Sequence, residues 1–282
     1  MNIFVLSGKM MKFNIIEIAE LIFDNLNNNK EGLKSQCLKS KDAIGYFYLD
    51  DLLPEELALK IYQKFPTTAE SIRKKNLREF KFTAVQMDTY DALLEAVIFA
   101  FQEKKVVALI SEICGLEKLY GDENLYAGGL SLMEKDNFLN PHLDNSHDKD
   151  RDRWRVLNLL YYVTPDWSAA HGGNLEIWPN GLKRSQITIE SRFNRLVVMT
   201  THQNSWHSVS KVTTGRIRRC VSNYYFSDNP ILASDTFHVT TFRGRSSEKV
   251  RDVILRIDNG LRANVRRFFK KGVRENPHRY KK

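Results

Sequence analysis

Residues 140–148, with the sequence NPHLDNSHD, carry two histidines and two aspartates within a short segment. The proline and asparagines beside them indicate a turn at the end of a strand. In an extended segment residues i and i+2 share one face, so His142 and Asp144 would present an imidazole and a carboxylate to the same point. These two groups could ligate a metal ion. The alternative is a solvated polar loop, and a His-x-Asp pair alone does not decide between the two.

A metal site needs a third ligand, and His207 is the best candidate because it begins a later β-type run in NSWHSVSKV. His147 lies in the charged run HDKDRDR, which favours a solvated loop. Two histidines and one carboxylate on one side of an octahedral ion leave three positions open. Such a ligand set suits Fe(II) that must hold a bidentate co-substrate and dioxygen.

Three arginines, Arg216, Arg218 and Arg219, follow His207 in the segment TTGRIRRCVSNYYFS. An arginine inside a β run with apolar and aromatic neighbours is costly to bury without a partner. The carboxylate of a bound acid would be such a partner, and a guanidinium can bind it through two hydrogen bonds. The alternative is that these arginines are surface charges of a hairpin, and at least one of them must be.

The elements that position these residues fall into three parts. Residues 1–120 are predicted to be helix-rich and to brace the core, with helices near 14–28, 54–64, 90–102 and 105–115 and with the charged residues 70–82 as a loop or an edge. Residues 121–230 hold many short β-type runs between turns, which is typical of a sandwich or barrel. Residues 231–282 form a basic helical extension.

The C-terminal extension has one apolar stripe at helical spacing, with Asn259-Gly260 as a candidate break in the helix. The stripe consists of Val250, Val253, Ile254, Ile257, Leu261, Val265 and Phe268. Such a helix is stable when its stripe is buried, so we expect the stripe to pack on the protein itself or on a second subunit, as in a homodimer.

The net charge of +9 is located in the C-terminal extension. Residues 243–282 hold 14 Lys and Arg against 4 Asp and Glu, whereas the other residues hold 29 against 30. A basic tail can bind nucleic acid, anionic lipid or an acidic partner, and it can equally be a solvated helix face. No aromatic residues alternate with the basic ones as a stacking surface for bases would need, so nucleic acid is not the expected partner.

Hydrophobic content of 42% indicates a globular chain, and no apolar run approaches the roughly 20 residues of a membrane span. The N-terminus does not resemble a signal peptide. The cysteines, Cys37, Cys114 and Cys220, are scattered, which argues against a disulfide framework and against a thiolate metal site. We therefore expect a cytoplasmic protein.

Several of these segments, in order and spacing, resemble the prolyl-hydroxylase branch of the Fe(II)/2-oxoglutarate dioxygenases. They are HLD at 142–144, RVLNLLYYVTPDW at 155–167, GGNLEIWP at 172–179, FNRLVVM at 193–199, HSVSKV at 207–212 and the arginine-to-YYF strand. The resemblance covers about residues 125–227. It implies an α+β fold with a double-stranded β-helix, or jelly roll, as its core, and it implies that His142, Asp144 and His207 bind the catalytic iron.

The resemblance also implies residues that bind 2-oxoglutarate. Tyr162 corresponds to a tyrosine that contacts the co-substrate carboxylate, and Leu175 to an apolar wall beside it. Two alignments place the basic residue at either Arg218 or Arg219. Arg218 is preferred because Ser222, at a position where some members keep a co-substrate-binding hydroxyl, lies four residues away and therefore on the same strand face.

The implied reaction consumes 2-oxoglutarate and dioxygen and hydroxylates a prolyl residue, an amino acid or a small metabolite, with ascorbate as a further candidate cofactor. Arg155 lies at a position that faces substrate in some relatives. Two other classes of function stay open. One is a non-catalytic metal-binding jelly-roll module, and the other is an oxygenase or binding protein that acts on nucleic acid.

Overall fold

A computed structural model describes residues 14–126, 128–268 and 280 of the chain. Helix α1 begins at a capping box in which Asn14 and Glu17 exchange hydrogen bonds between side chain and backbone. Helix α5 ends at Gly115, whose φ of +64° favours glycine. The α-helices of the described residues are α1 (Ile15–Asn28), α2 (Lys30–Ser40), α3 (Glu55–Lys64), α4 (Ala92–Ala100), α5 (Lys104–Cys114) and α6 (Lys249–Phe268).

A single antiparallel sheet runs through the described residues. Its strands are β1 (Tyr46–Leu49), β2 (Ile72–Lys75), β3 (Glu79–Ala84), β4 (Leu119–Tyr120), β5 (Gly129–Met133), β6 (Phe138–Leu143), β7 (Trp154–Tyr162), β8 (Leu175–Ile177), β9 (Ile187–Ile189), β10 (Arg195–Thr200), β11 (His207–Val209), β12 (Arg218–Ser227) and β13 (Thr241–Phe242). The order is β1-β10-β7-β12-β5-β3-β6-β11-β8-β9, with β2 beside β3, β4 beside β12 and β13 beside β6.

The sheet curls so that residues from β3, β5, β7 and β12 face residues from β6, β8 and β11 across one cavity. This arrangement confirms the predicted fold class, which is α+β with a jelly-roll core, N-terminal helices and a C-terminal helix. β1, β2 and β3 join the sheet from residues 46–84, so the first 120 residues supply strands as well as helices. The division into three parts stays a prediction.

Strand β3 departs from the expectation of a loop or an edge over residues 70–82. It is an interior strand that pairs with both β5 and β6, while β2 is the edge strand. Phe80 and Phe82 pack against the main hydrophobic core, whereas Glu79, Lys81 and Thr83 line the cavity. The charged face of the strand is therefore turned inward, and this is why the segment reads as solvent-exposed in the sequence.

The main hydrophobic core lies between the N-terminal helices and the face of the sheet that points away from the cavity. Ile22 of α1 and Val97 of α4 are fully buried there, together with Leu157 of β7. Tyr280 also packs against it, with its ring centroid 5.7 Å from that of Phe99. Side chains of β7 and β12 on the opposite face are left to form the cavity.

Helix α6 is continuous through Asn259 and Gly260, so the candidate break there does not occur. The Asn259 side chain instead pairs with the backbone of Phe242, accepting from its N–H at 3.0 Å and donating to its carbonyl at 2.6 Å. Asp252 accepts hydrogen bonds from Arg243 at 2.6 and 3.0 Å, and Asp258 pairs with Arg78. The helix is thus held on the edge of the sheet mainly by polar contacts.

The expectation that the apolar stripe packs on the protein itself is wrong for the described residues. Val250 is 76% exposed, Ile257 61% and Leu261 63%, whereas Leu255, outside the stripe, is buried. The polar side chains of α6 form hydrogen bonds and ion pairs with the backbone of β13 and with the arginines beside it. The polar face of the helix is therefore turned toward the rest of the protein. The Phe268 side chain lies outside the described residues, and a second subunit over the stripe stays a prediction. No helix within the described ranges is long and apolar enough to cross a membrane.

Candidate metal centre and co-substrate cavity

His142, Asp144 and His207 meet at one end of the cavity. His142 lies near the end of β6 and His207 at the start of β11, directly opposite each other in the strand register. Asp144 follows β6, and its two oxygens lie 3.6 Å from His142 Nε2 and 3.6 Å from His207 Nε2. The three ligand atoms all lie within 4.8 Å of one another, and both histidines are buried.

The backbone fixes the proton position on both imidazoles. Nδ1 of His142 lies 3.0 Å from the carbonyl oxygen of Asn140, and Nδ1 of His207 lies 2.9 Å from that of Ser205. A carbonyl oxygen can only accept, so each Nδ1 carries the proton and each Nε2 presents its lone pair to the common point. The ring of Phe242 stacks on His142 with a centroid distance of 5.2 Å and further fixes its orientation.

The protonation states also suit metal binding. Burial, together with the nearby His207, lowers the pKa of His142 to about 3, so the ring is neutral at physiological pH. Burial acts to raise the pKa of Asp144, but the nearby His207 and Arg155 outweigh it and the pKa is lowered. Asn158 Nδ2 lies 3.5 Å from the second carboxylate oxygen. Two neutral nitrogens and one carboxylate that leave several positions open fit a ferrous ion.

Arg218 lies in the same cavity, which has a volume of about 660 Å³. The side chain is 3% exposed, Nε donates to Ser191 Oγ at 3.2 Å, and Nη1 lies 3.4 Å from Met133 Sδ. No carboxylate of the described residues lies within ion-pair distance of it. Gly173 makes room for this side chain, because a Cβ there would lie 2.8 Å from Arg218 Cδ. A buried guanidinium without an anion is expected where a ligand supplies one.

The other two arginines point elsewhere. The guanidinium of Arg219 lies 4.3 Å from the centroid of the Tyr62 ring, on the opposite face of β12. Arg216 donates to the carbonyl oxygens of Pro165 and Asp166 at 2.5 and 2.9 Å. Strand alternation thus places Arg218, and not Arg219, in the cavity.

The structure brings Leu175 and Ser222 to the cavity lining with Arg218. Tyr162 lies behind them and does not line the cavity, but its ring centroid is 4.8 Å from the Arg218 guanidinium. Burial raises the pKa of Tyr162 to about 12, and its hydroxyl has no hydrogen-bond partner among the described residues. Tyr162 is thus placed to orient the guanidinium.

His147 is not in a solvated loop as the charged run predicts. It is 2% exposed, lines the cavity, and pairs with Trp154 through an isolated β-bridge. Its ring packs between Tyr126 and Phe237, with centroid distances of 6.5 and 6.1 Å. These partners are far from it in sequence, so the local charge pattern could not reveal its burial.

Residues 128–227 match the family model of the 2OG-Fe(II) oxygenase superfamily. The chain carries a 2OG-Fe(II) oxygenase domain. Over this segment the domain is that of a 2-oxoglutarate-dependent dioxygenase, and Fe(II) and 2-oxoglutarate are the cofactor and co-substrate of that superfamily. No curated protein sequence matches the chain.

Solved structures support the fold of the oxygenase. A prolyl-4-hydroxylase from Pseudomonas putida is 17% identical, with a TM-score of 0.53, and the match covers 69% of this chain and 98% of that one. A structure of prolyl 4-hydroxylases from Phytophthora capsici is 15% identical to this chain, with a TM-score of 0.56. The match covers 95% of this chain and 82% of that one. At these identities the likeness shows a common fold.

Proposed function

We propose that the oxygenase binds Fe(II) through His142, Asp144 and His207 and the distal carboxylate of 2-oxoglutarate through Arg218. The observation that carries the proposal is the shared cavity, in which a buried arginine without a carboxylate partner lies beside a converging His-Asp-His set. Ser222, Leu175 and Tyr162 would complete the co-substrate site. The substrate would be a prolyl residue, an amino acid or a small metabolite, and the cytoplasmic location stays a prediction.

When bound, Fe(II) and 2-oxoglutarate supply the oxidising chemistry: one oxygen atom of dioxygen enters a substrate C–H bond as hydroxyl, and the other enters succinate as carbon dioxide leaves. The side chains of this enzyme need not act as general acid or base in that sequence. The side chains bind and orient the metal ion, the co-substrate and the substrate, and they exclude water from the cavity.

Orientation begins with the ligand set. The Asn140 and Ser205 carbonyls hold the two imidazoles in one tautomer, and Asn158 holds one oxygen of Asp144. Arg218 fixes the far end of the co-substrate, so that its 2-oxo acid end is turned toward the histidines. Leu160, Leu175 and Val209 contribute apolar side chains to the lining of the same cavity.

Arg155 is the best candidate for contact with the substrate. It is 3% exposed, its Nη1 lies 3.9 Å from Asp144 Oδ1, and its guanidinium lies 4.1 Å from the Tyr224 ring centroid. Its Nε and Nη2 have no hydrogen-bond partner among the described residues. A polar substrate group beside the metal centre would satisfy these two donors.

The test is succinate formation from 2-oxoglutarate with Fe(II) and dioxygen, with and without ascorbate, against prolyl peptides, free amino acids and single-stranded oligonucleotides. We expect substrate-dependent succinate with the wild-type enzyme and none with Asp144→Ala. If the protein binds metal but not 2-oxoglutarate, it is a non-catalytic metal-binding module. If only oligonucleotides support turnover, the substrate class proposed here is wrong.

A further inference from the structure

The β2–β3 hairpin places two lysines opposite each other in the cavity wall. Lys74 and Lys81 are direct partners in the strand register, and both line the cavity. Like charges directly opposite on paired strands destabilise a hairpin. Burial, together with the charge of Lys81, lowers the pKa of Lys74 to about 8, which shows that the charged form is disfavoured there. Because the like charges of Lys74 and Lys81 lower the stability of the hairpin, we expect an anionic group to compensate them.

Within the described residues, only one of the two lysines forms an ion pair with a carboxylate. Lys81 forms an ion pair with Glu79 at 3.1 Å. Lys74 has no carboxylate within ion-pair distance among the described residues. On the opposite face of the same hairpin, Lys75 lies 4.9 Å from the Phe80 ring centroid and outside the cavity. The uncompensated positive charge is therefore directed into the cavity.

The whole lining shows the same excess of positive charge. The anionic side chains of the lining are Glu79 and Asp144. The cationic ones are Lys74, Arg78, Lys81, Arg155, Arg218 and Arg262. Asp258 of α6 forms ion pairs with Arg78 and Arg262, so the charges of these two arginines have a partner. Lys74 and Arg155 are left without a full partner.

Cofactor and co-substrate do not remove this excess. A ferrous ion brings two positive charges and 2-oxoglutarate two negative ones, and Arg218 is committed to the co-substrate. Lys74 and Lys81 line the same cavity as His142, Asp144 and His207. An anion bound at the pair would therefore lie in the cavity that contains the metal ligands.

We propose that the substrate is a small anion whose carboxylate or phosphate group binds between Lys74 and Lys81. The inference rests on the proposed function and narrows its substrate class. Charge-assisted hydrogen bonds from two ammonium groups give such a group its affinity and its orientation. Arg155 would receive a further polar group of the same molecule.

The first test measures anion binding to the enzyme loaded anaerobically with Fe(II) and saturating 2-oxoglutarate. The probes are malonate for the carboxylate source, inorganic phosphate for the phosphate source, and malonamide as the uncharged counterpart of malonate. We expect malonate or phosphate, but not malonamide, to raise the melting temperature in a saturable way. Which of the two anions binds more tightly identifies the chemistry of the group.

Substitution then locates the site. Lys74→Met and Lys81→Met should each weaken binding of the preferred probe about tenfold or more. Lys75→Met removes the same charge from the same hairpin outside the cavity and should leave binding unchanged. Lys81→Arg, which keeps the charge, should restore most of the affinity lost in Lys81→Met. Equal effects of Lys74→Met and Lys75→Met, or no saturable binding of either anion, would overturn the proposal.

A second readout separates this inference from the proposed function. The dissociation constant of 2-oxoglutarate should be unchanged in Lys74→Met and Lys81→Met. If Lys81→Met weakens 2-oxoglutarate as much as Arg218→Ala does, the lysine is a co-substrate anchor and the inference is wrong. If the wild-type protein does not bind 2-oxoglutarate at all, the proposed function itself fails.

Discussion

His142 and His207 face each other across the β6–β11 pair, with ring centroids 4.1 Å apart and with both Nδ1 atoms turned to backbone carbonyls. Two imidazoles in such close contact need a common partner for their Nε2 lone pairs. Asp144 cannot satisfy them, because a carboxylate accepts hydrogen bonds and does not donate them. A metal ion between the three groups resolves this arrangement.

Replacing either histidine should therefore remove metal binding without unfolding the protein. His207→Ala or His142→Ala should weaken Fe(II) binding by more than the 10–100-fold that loss of an outer partner typically costs. Asn158→Leu, which removes only a partner of Asp144, should fall within about that 10–100-fold range. Equilibrium dialysis with Fe(II) under anaerobic conditions measures these constants, with circular dichroism as the control for folding. Full metal affinity in His207→Ala would show that the third ligand is another residue.

The acidic anchors of α6 predict a pH-dependent attachment of this helix. The hydrogen bond from Arg243 lowers the pKa of Asp252 to about 2, below its usual value near 3.8. A carboxyl whose pKa is lowered by folding stabilises the folded state above the unfolded pKa and loses that effect as pH falls toward the folded one. The attachment should thus weaken between about pH 4 and pH 2.

The same contact can be removed at neutral pH. Asp252→Asn should lower the free energy of unfolding by about 1 kcal/mol, because the ion pair is partly exposed to solvent. Hydrogen exchange of residues 249–262 should rise in this variant while the exchange of β7 and β12 stays low. Asp150→Asn, a carboxyl of the exposed loop before β7, is the matched control. Unchanged exchange in α6 would show that its polar contacts do not hold it.

The exposed apolar stripe of α6 is the surface that the predicted second subunit would cover, and this prediction can be tested. Six apolar side chains, on Val250, Val253, Ile254, Ile257, Leu261 and Val265, are exposed on one face. If a second copy covers them, light scattering should give twice the chain mass for the wild type and the single mass for the double variant Ile254→Glu, Ile257→Glu. A monomeric wild type at all concentrations would refute the dimer.

Much of the site could be predicted from local spacing. His142 and Asp144 share a face because the side-chain period of a strand is two, and the same rule separates Arg218 from Arg219. These inferences need only the strand itself. They hold because the backbone is extended at each pair, in β12 for the two arginines and at the end of β6 for His142 and Asp144.

Other parts of the site depend on pairing that no local pattern reveals. Lys74 and Lys81 reach the cavity because β3 pairs with β5 and β6, which follow it by about fifty residues. His147 is buried by Phe237, some ninety residues later. The orientation of α6 is set by the backbone of β13 and by Arg78 and Arg243, so the apolar stripe alone could not show that the polar face of the helix is turned toward the sheet.

The most direct test of the whole account is the dissociation constant of 2-oxoglutarate for Arg218→Ala, compared with Arg219→Ala and the wild type in the presence of Fe(II) and absence of dioxygen. Loss of the buried arginine should cost roughly 2–5 kcal/mol of binding free energy, while Fe(II) affinity changes little. Arg219→Ala should bind like the wild type, because its guanidinium lies over Tyr62 on the other face of the strand. Normal 2-oxoglutarate affinity in Arg218→Ala, or a larger loss in Arg219→Ala, would contradict the account.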